Sequence, residues 1–245
     1  MNKGKITLGA RWANFMAQTR KFPAHRLKVI AVYGAGATDV ANFVLEVLKA
    51  DGRKVAMLAD KSFEIAGHRE YDDTPYKPTA GLFQRFFAAC QKSQVEFAVL
   101  EVNNEAMGKS ALYNVPVHAG MILAGQSPTT SQTDGQSMEE LVQISKFAII
   151  PDGEEFNNLA AGRPVENTLT FGRSRAATSR IDHTKFYKKG TETQLLLGGR
   201  RIELATFLAN ENAPDDMAAV AALASALEIP NDILESGIAN YVPER

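Results

Sequence analysis

Residues 29–44 read VIAVYGAGATDVANFV, an apolar β-branched run that turns through glycines into a helical pattern. Such a turn aims backbone N–H groups and the positive end of a helix at one point, which suits an anion. The candidate loop is Gly34, Ala35, Gly36, Ala37, Thr38 and Asp39. A phosphate loop also needs a lysine for the outer phosphates and a Ser or Thr hydroxyl for magnesium. GAGATDV holds no lysine, and Asp39 sets a carboxylate where phosphates would collect. Two like charges about 4 Å apart cost about 1 kcal/mol in bulk water and more in a partly buried site. Composition therefore disfavours ATP held in the usual way. The same stretch also outlines a dinucleotide-binding unit, with Asp60 as the ribose acid. Against that reading, Asp39 stands at the third glycine position and Asp60 lies 26 residues beyond Gly34, where the fingerprint has about 20.

Three carboxylates, Asp39, Glu101 and Glu105, are expected at the carboxyl end of the sheet, where ligands of open α/β folds bind. They offer oxygen ligands to a divalent cation such as Mg2+, or form a solvated acidic rim. His25, His68, His118 and His183 are scattered and none is spaced as a metal pair; His118, at the start of a strand, is the one expected to be partly buried. Cys90, the single cysteine, sits in the apolar stretch FFAACQKS and reads as a small core residue. Arg173, Arg175 and Arg180 share one loop, FGRSRAATSR, read as solvated or as a grip on an anion or partner. No nucleophile elbow or Ser-His-Asp arrangement is present.

The elements that must position these groups alternate. LKVIAVYG, KVAMLAD, VEFAVLEVN, HAGMILAG and FAIIPDG read as buried strands, separated by helices over ATDVANFVLEVLKADG, TAGLFQRFFAACQKSQ and SMEELVQISK. Continuous apolar strands with intervening helices imply a doubly wound, mostly parallel α/β sheet covered on both faces. Residues 61–78 read as a polar loop, and GQSPTTSQTDGQS (125–137) as a mobile loop at the cleft mouth. After Asn167, TLTFG, TKFYKKG, TETQLLL and RRIELA read as a small appended antiparallel sheet with a tight turn at Gly198-Gly199. The helices PDDMAAVAALASALEI and NDILESGIANY close the chain. The division is a basic helical extension over 1–26 and a main domain over 27–245, with its parallel core at 27–166 and the remainder at 167–245. The extension carries Lys3, Lys5, Arg11, Arg20, Lys21 and Arg26 with no acid. Its helix reads as packed on the domain with solvated cations, or as a docking surface for an acidic partner.

The chain has 245 residues, 45% hydrophobic and 22% charged, with 27 basic against 28 acidic side chains. That balance gives no overall pull toward nucleic acid or an anionic membrane. The N-terminal sequence has no secretory pattern and no segment approaches membrane-spanning length, so the expectation is a cytoplasmic protein without membrane insertion.

Laid end to end, the pattern resembles the central, ATP-binding domain of the Mur ligases, especially the UDP-N-acetylmuramyl-tripeptide synthetase type. The family's T-G-T-N-G-K-T-T faces YGAGATDV, and its T-T-P faces YKP, with Pro78 at the matching distance. M-E-V-S-S-H-A-L matches LEVNNEAM (100–107), G-x-M-E-E-Y matches GQSMEEL, and A-V-I-N-A-D-D matches AIIPDGEE. The TLTFG strand, the Gly-Gly hairpin, the alanine-rich helix and YVPER, similar to the family's P-G-R-x-E boundary, follow in order over residues 27–245.

The resemblance implies an enzyme that phosphorylates a carboxylate with ATP and lets an amine displace the phosphate, which needs neutralised phosphates and placed metal ions. The departures fall on that chemistry. In this register the loop lysine is Thr38, the magnesium threonine is Asp39, and the histidine after the metal-binding glutamate is Glu105. The T-N-x-x-x-D-H segment has no match in LAGQSPTTSQ, the modified lysine falls at Ser145, and an asparagine is Pro151. Only Glu101, the magnesium-ligand glutamate, stays in place. The resemblance covers the central domain alone, so the family's flanking UDP-binding and amino-acid-binding domains are not expected within these residues. The expectation is a degenerate domain with no catalytic residue, a pseudoenzyme linked to cell-wall precursor metabolism. It would bind a protein partner, or Mg2+ or a nucleotide, in a cleft of Pro78, Asn103, Asn104 and Asp60. The alternatives are an ATP-dependent amide-bond ligase with a rewired loop, its cation supplied by Lys61, Lys77 or Lys109, and a dinucleotide-binding module.

Overall fold

The structure, a computed structural model, describes residues 8–60, 62–71, 76–125, 127–129 and 131–243. Strand β1 (Lys28–Tyr33) runs straight into the glycine loop and helix α2 (Ala37–Ala50), which ends at Gly52 in the left-handed region, φ 73°. Strand β2 (Val55–Ala59) is followed by a hairpin, β3 (Ser62–Ile65) and β4 (His68–Tyr71), where a polar loop was expected. The turn residues Ala66 and Gly67 both have positive φ, and the strands are short and half-exposed, so no apolar run marks them. Helix α3 (Ala80–Lys92) starts at Thr79, whose hydroxyl accepts the Leu82 N–H at 3.2 Å. Strand β5 (Phe97–Val102) leads into the short helix α4 (Asn104–Gly108), and β6 (Val117–Ile122) into α5 (Gln132–Ile144). The supposed mobile loop at 125–137 is therefore helical from Gln132, because Ser131 caps α5 by accepting the Asp134 N–H at 3.1 Å.

Strand β7 (Ser145–Pro151) and, after the short helix α6 (Glu154–Asn157), β8 (Thr168–Gly172) continue the parallel pairing. Strand β9 (Ser179–Tyr187) pairs parallel with β8, and β9, β10 (Gly190–Leu197) and β11 (Arg200–Thr206) pair antiparallel. The eleven strands among the described residues form one sheet, in the order β11-β10-β9-β8-β7-β6-β1-β5-β2-β3-β4. The antiparallel part is thus continuous with the parallel core, and TLTFG belongs to the parallel side. Helices α2, α7 (Ala213–Ala226) and α8 (Asn231–Asn240) cover one face of the sheet, with Ile30, Val32, Val99 and Met121 beneath them. Helices α3 and α5 cover the other over Val29, Ala31, Leu100 and Ile150. This in-out alternation fixes which strand residues can reach α2 and which can reach α5. The close approach of α8 to α2 depends on Gly237: a Cβ there would lie 2.4 Å from Val47 Cα.

Candidate functional site

The glycine loop sits at the carboxyl end of β1, beside the carboxyl ends of β5 and β6. Gly34 has φ 128°, and a Cβ on it would stand 3.0 Å from Leu123 Cβ, so only glycine fits under β6's exit. Gly36 has φ 86° and forms the N-cap of α2 with no side chain to cap it. Buried Ala37 is the first helical residue and Thr38 the second.

Glu101 lies on the α2 face of β5 and is held from three sides. The Thr38 hydroxyl donates to its Oε2 at 2.7 Å, the Asp60 N–H donates to the same oxygen at 3.0 Å, and the Tyr76 hydroxyl donates to its carbonyl at 2.7 Å. Burial, then the charges of Glu101 and Asp60, push the Tyr76 phenol well above its ordinary range. On the opposite face the Tyr33 hydroxyl lies 2.6 Å from Asn104 Oδ1 and 3.1 Å from Asp134 Oδ1. The Asn104 amide donates to the same Asp134 oxygen, and the Ser131 hydroxyl donates to the other at 2.7 Å. Desolvation and the Asp134 hydrogen bond likewise raise the Tyr33 phenol. Asn103 caps α4, accepting the Ala106 N–H at 3.0 Å. Pro78 is buried just before the α3 cap and makes no polar contribution to the cleft.

The three expected metal carboxylates do not converge. Asp39 accepts from the Tyr241 hydroxyl at 2.7 Å, and Glu105 pairs with Lys109 at 2.5 Å on the rim. Glu101 is engaged as above, and no group of three His, Cys, Asp or Glu side chains able to hold a metal occurs among the described residues. The physical reason is spacing along α2 and α4: Asp39 follows Thr38 by one residue and so turns away from β5. Two cavities flank the loop instead. One, of about 350 Å3, is lined by Tyr33, Gly34, Ala35, Glu101, Asn103 and Glu105. The other, of about 230 Å3, is lined by Thr38, Asp39, Asp60, Arg69, Tyr71 and Tyr241 among others.

The group nearest Gly36 was not expected there. A Cβ on Gly36 would lie 3.6 Å from Asp216 Oδ2 and 3.8 Å from Oδ1. Asp216 is 3% exposed, in the first turn of α7. Burial, then Asp39 and Asp215, push its carboxyl up to about 8. Asp215 is also raised by burial, with Arg173 opposing the shift. In the sequence these two acids look like ordinary N-terminal helix residues; only the packing of α7 against α2 brings them to the loop.

The cations around the loop face acids. Lys109, and more weakly Lys77, hold Glu105 below the usual carboxylate range, Arg69 pairs with Glu64 at 2.9 Å, and Arg173 lies near Asp215. Lys61 lies outside the described residues. Ser145, matched to the family's modified lysine, is at the amino end of β7, beside Val117, and its hydroxyl donates to Leu141 O at 2.6 Å. It therefore sits at the opposite end of the sheet from the loop. Cys90 is fully buried, with its thiol raised to about 12. His118 is half-buried, packed edge-on to Phe147 at 5.6 Å, and burial lowers it.

Comparison with known proteins agrees with this architecture. The chain is 25% identical over 216 residues to the UDP-N-acetylmuramoyl-L-alanyl-D-glutamate–2,6-diaminopimelate ligase of Chlamydia trachomatis serovar D, covering 82% of this chain and 43% of that protein. The same-named ligase of Chlamydia abortus is 24% identical over 244 residues, 93% of this chain and 49% of its own length. The chain is a relative of the Mur ligases. It spans about half the length of the curated relatives it matches. No protein-family model matches the chain. Among solved structures, a UDP-N-acetylmuramoyl-L-alanyl-D-glutamate–2,6-diaminopimelate ligase superposes with a TM-score of 0.80 at 15% identity, over 97% of this chain and 50% of that one. The folylpolyglutamate synthetase of Lactobacillus casei superposes with a TM-score of 0.70 at 16% identity, over 98% and 69%. Among the described residues no helix is long and apolar enough to cross a membrane.

Proposed function

We propose that this chain is a Mur-ligase-like domain that has lost phosphoryl transfer and works by binding, within the cell-wall precursor chemistry named by its relatives. The observation that carries this reading is the Asp216 carboxyl against Gly36, in a loop with no cation of its own. Reading the loop from Gly36, in the order glycine, lysine, hydroxyl, puts buried Ala37 in the lysine's place and Thr38 in the hydroxyl's. The register is then one residue shorter than the family's T-G-T-N-G-K-T-T. The triphosphate would meet Asp39, Asp215 and the Asp216 carboxyl, which burial keeps protonated below about pH 8, where a ligase supplies a lysine, and the neighbouring lysines are drawn to Glu105 on the rim.

A second reading rests on the Thr38–Glu101 contact at 2.7 Å. These two hard oxygen donors fit Mg2+, which would screen phosphate charge when bound. With Lys77 or Lys109 turned inward, the chain would be an ATP-dependent ligase with a rewired loop.

Calorimetric titration with ATP, with and without Mg2+, separates the two, with NAD as the comparator for a dinucleotide site. The binding-domain reading expects no ATP heat at millimolar nucleotide and a gain of affinity in the Ala37→Lys/Asp216→Asn variant. Micromolar, Mg2+-dependent ATP binding that disappears in Glu101→Ala would overturn it in favour of the ligase.

A further inference from the structure

The first 27 residues carry six Lys or Arg side chains and no acid in a chain of net charge −1, so the rest of the molecule is net acidic. Tertiary packing extends this asymmetry. Helix α1 (Leu8–Thr19) and the 3-10 turn at Pro23–Arg26 both pack on α3, and these three elements contain no Asp or Glu. Arg11, Arg26, Arg85 and Lys92 are exposed on them, and Lys21 is exposed between α1 and the 3-10 turn. Beside Arg11 stand two aromatic rings, Trp12 at 58% and Phe15 at 54% exposure, with centroids 5.8 Å apart. Ala17 is buried, and the Asn114 amide donates to Asn14 Oδ1 at 2.8 Å, tying α1 to the loop before β6. The helix is held on the domain while its aromatic side stays open.

We propose that the α1–α3 face docks on an anionic lipid surface, with Trp12 and Phe15 at headgroup depth and the cations against lipid phosphates. Basic side chains around exposed Trp and Phe on a short amphipathic helix are the pattern of interfacial binding. The cations are spread over three elements instead of converging on one point, and both rings are more than half exposed. That arrangement matches a diffuse charged plane better than a protein hot spot, which needs a concave, desolvated socket. The helix packs along the domain, so the contact is peripheral.

Trp12 is the chain's single tryptophan, so its fluorescence reports on this face alone. The experiment mixes the full chain with phosphatidylcholine vesicles with or without phosphatidylglycerol and reads Trp12 emission and co-sedimentation. The expected result is a blue shift and sedimentation only with phosphatidylglycerol, reversed near about 0.5 M salt, where screening is short-ranged. Each cation removed should weaken binding about fivefold, so Arg11→Gln/Lys21→Gln loses about 25-fold. Phe15→Ala weakens binding while the circular dichroism spectrum is unchanged, which separates lost docking from lost folding. Equal binding to neutral vesicles, or none to anionic ones at low salt, overturns the proposal. A Trp12 response to polyglutamate without one to vesicles overturns it in favour of an acidic polypeptide.

Discussion

The glycine loop and the α1–α3 face are electrical opposites in a chain whose charges nearly cancel. Around the loop, Asp39, Glu101, Asp215 and Asp216 crowd a helix N-terminus, and Asp216 is buried with the charges of Asp39 and Asp215 near it. On α1, α3 and the turn between them there is no acid at all. The acidic region is enclosed and built from residues far apart in sequence. The basic one is open and is built mostly from one short segment. Net charge averages these away, and function is decided locally, where burial turns a side chain's charge into either an energetic cost or a binding contact.

The largest test separates both regions from the core they share. Phe43 is fully buried and meets Tyr241 edge-on at 5.2 Å. Phe43→Ala should cost about 3–5 kcal/mol, read by urea denaturation, and weaken the support for Asp39 through Tyr241.

The acidic region should be next. Asp216 has a folded-state pKa of about 8 against an ordinary value of 3.8. The fold therefore holds this proton more tightly than the unfolded chain does. Its stabilising contribution is complete below pH 4 and lost as the pH rises toward 8. Asp216→Asn should abolish that decline and stabilise the protein by about 2–4 kcal/mol at pH 8. Denaturant midpoints at pH 5, 6.5 and 8 test this, and a parallel slope in the variant would remove Asp216 from the account.

Tyr33→Phe deletes the hydroxyl between Asn104 and Asp134 and should cost about 1–3 kcal/mol, because Asp134 is buried. It should leave Trp12 fluorescence unchanged, which keeps the two regions independent. The smallest effect belongs to the open face: Arg11→Gln/Lys21→Gln should move the midpoint by no more than about 0.5 kcal/mol while abolishing most vesicle binding. A large loss of stability there would mean that the basic face is structural.

Much of this was legible in the residues. Apolar runs announce β1, β2, β5, β6 and β7, because strands buried on both faces leave little room for polar side chains. Gly52 and Gly198-Gly199 marked a helix end and a hairpin because their positive φ is costly for other residues. The β3–β4 hairpin, half-exposed, has no such run and read as loop. Helix α5 began earlier than its apolar stripe because Ser131 caps it before any core contact is made. In the site, Gly34 and Glu101 line one cavity beside the loop and Asp60 the other, while Asp39, Glu101 and Glu105 do not assemble as a metal trio.

The sequence by itself determined the order of the buried parallel strands and the longer helices, the glycine turn after β1, the absence of a lysine in it and the acid-free N-terminal segment. These are properties of single residues and short periods, visible wherever the chain goes. Tertiary structure alone decided that Thr38 faces Glu101, that Tyr33 bridges Asn104 and Asp134, and that Asp216 closes on Gly36 across 180 residues of chain. It also decided that α3 extends the basic face of α1. The physical reason is that burial and pairing depend on which elements pack together, and local sequence periodicity carries no record of the distance that packing removes.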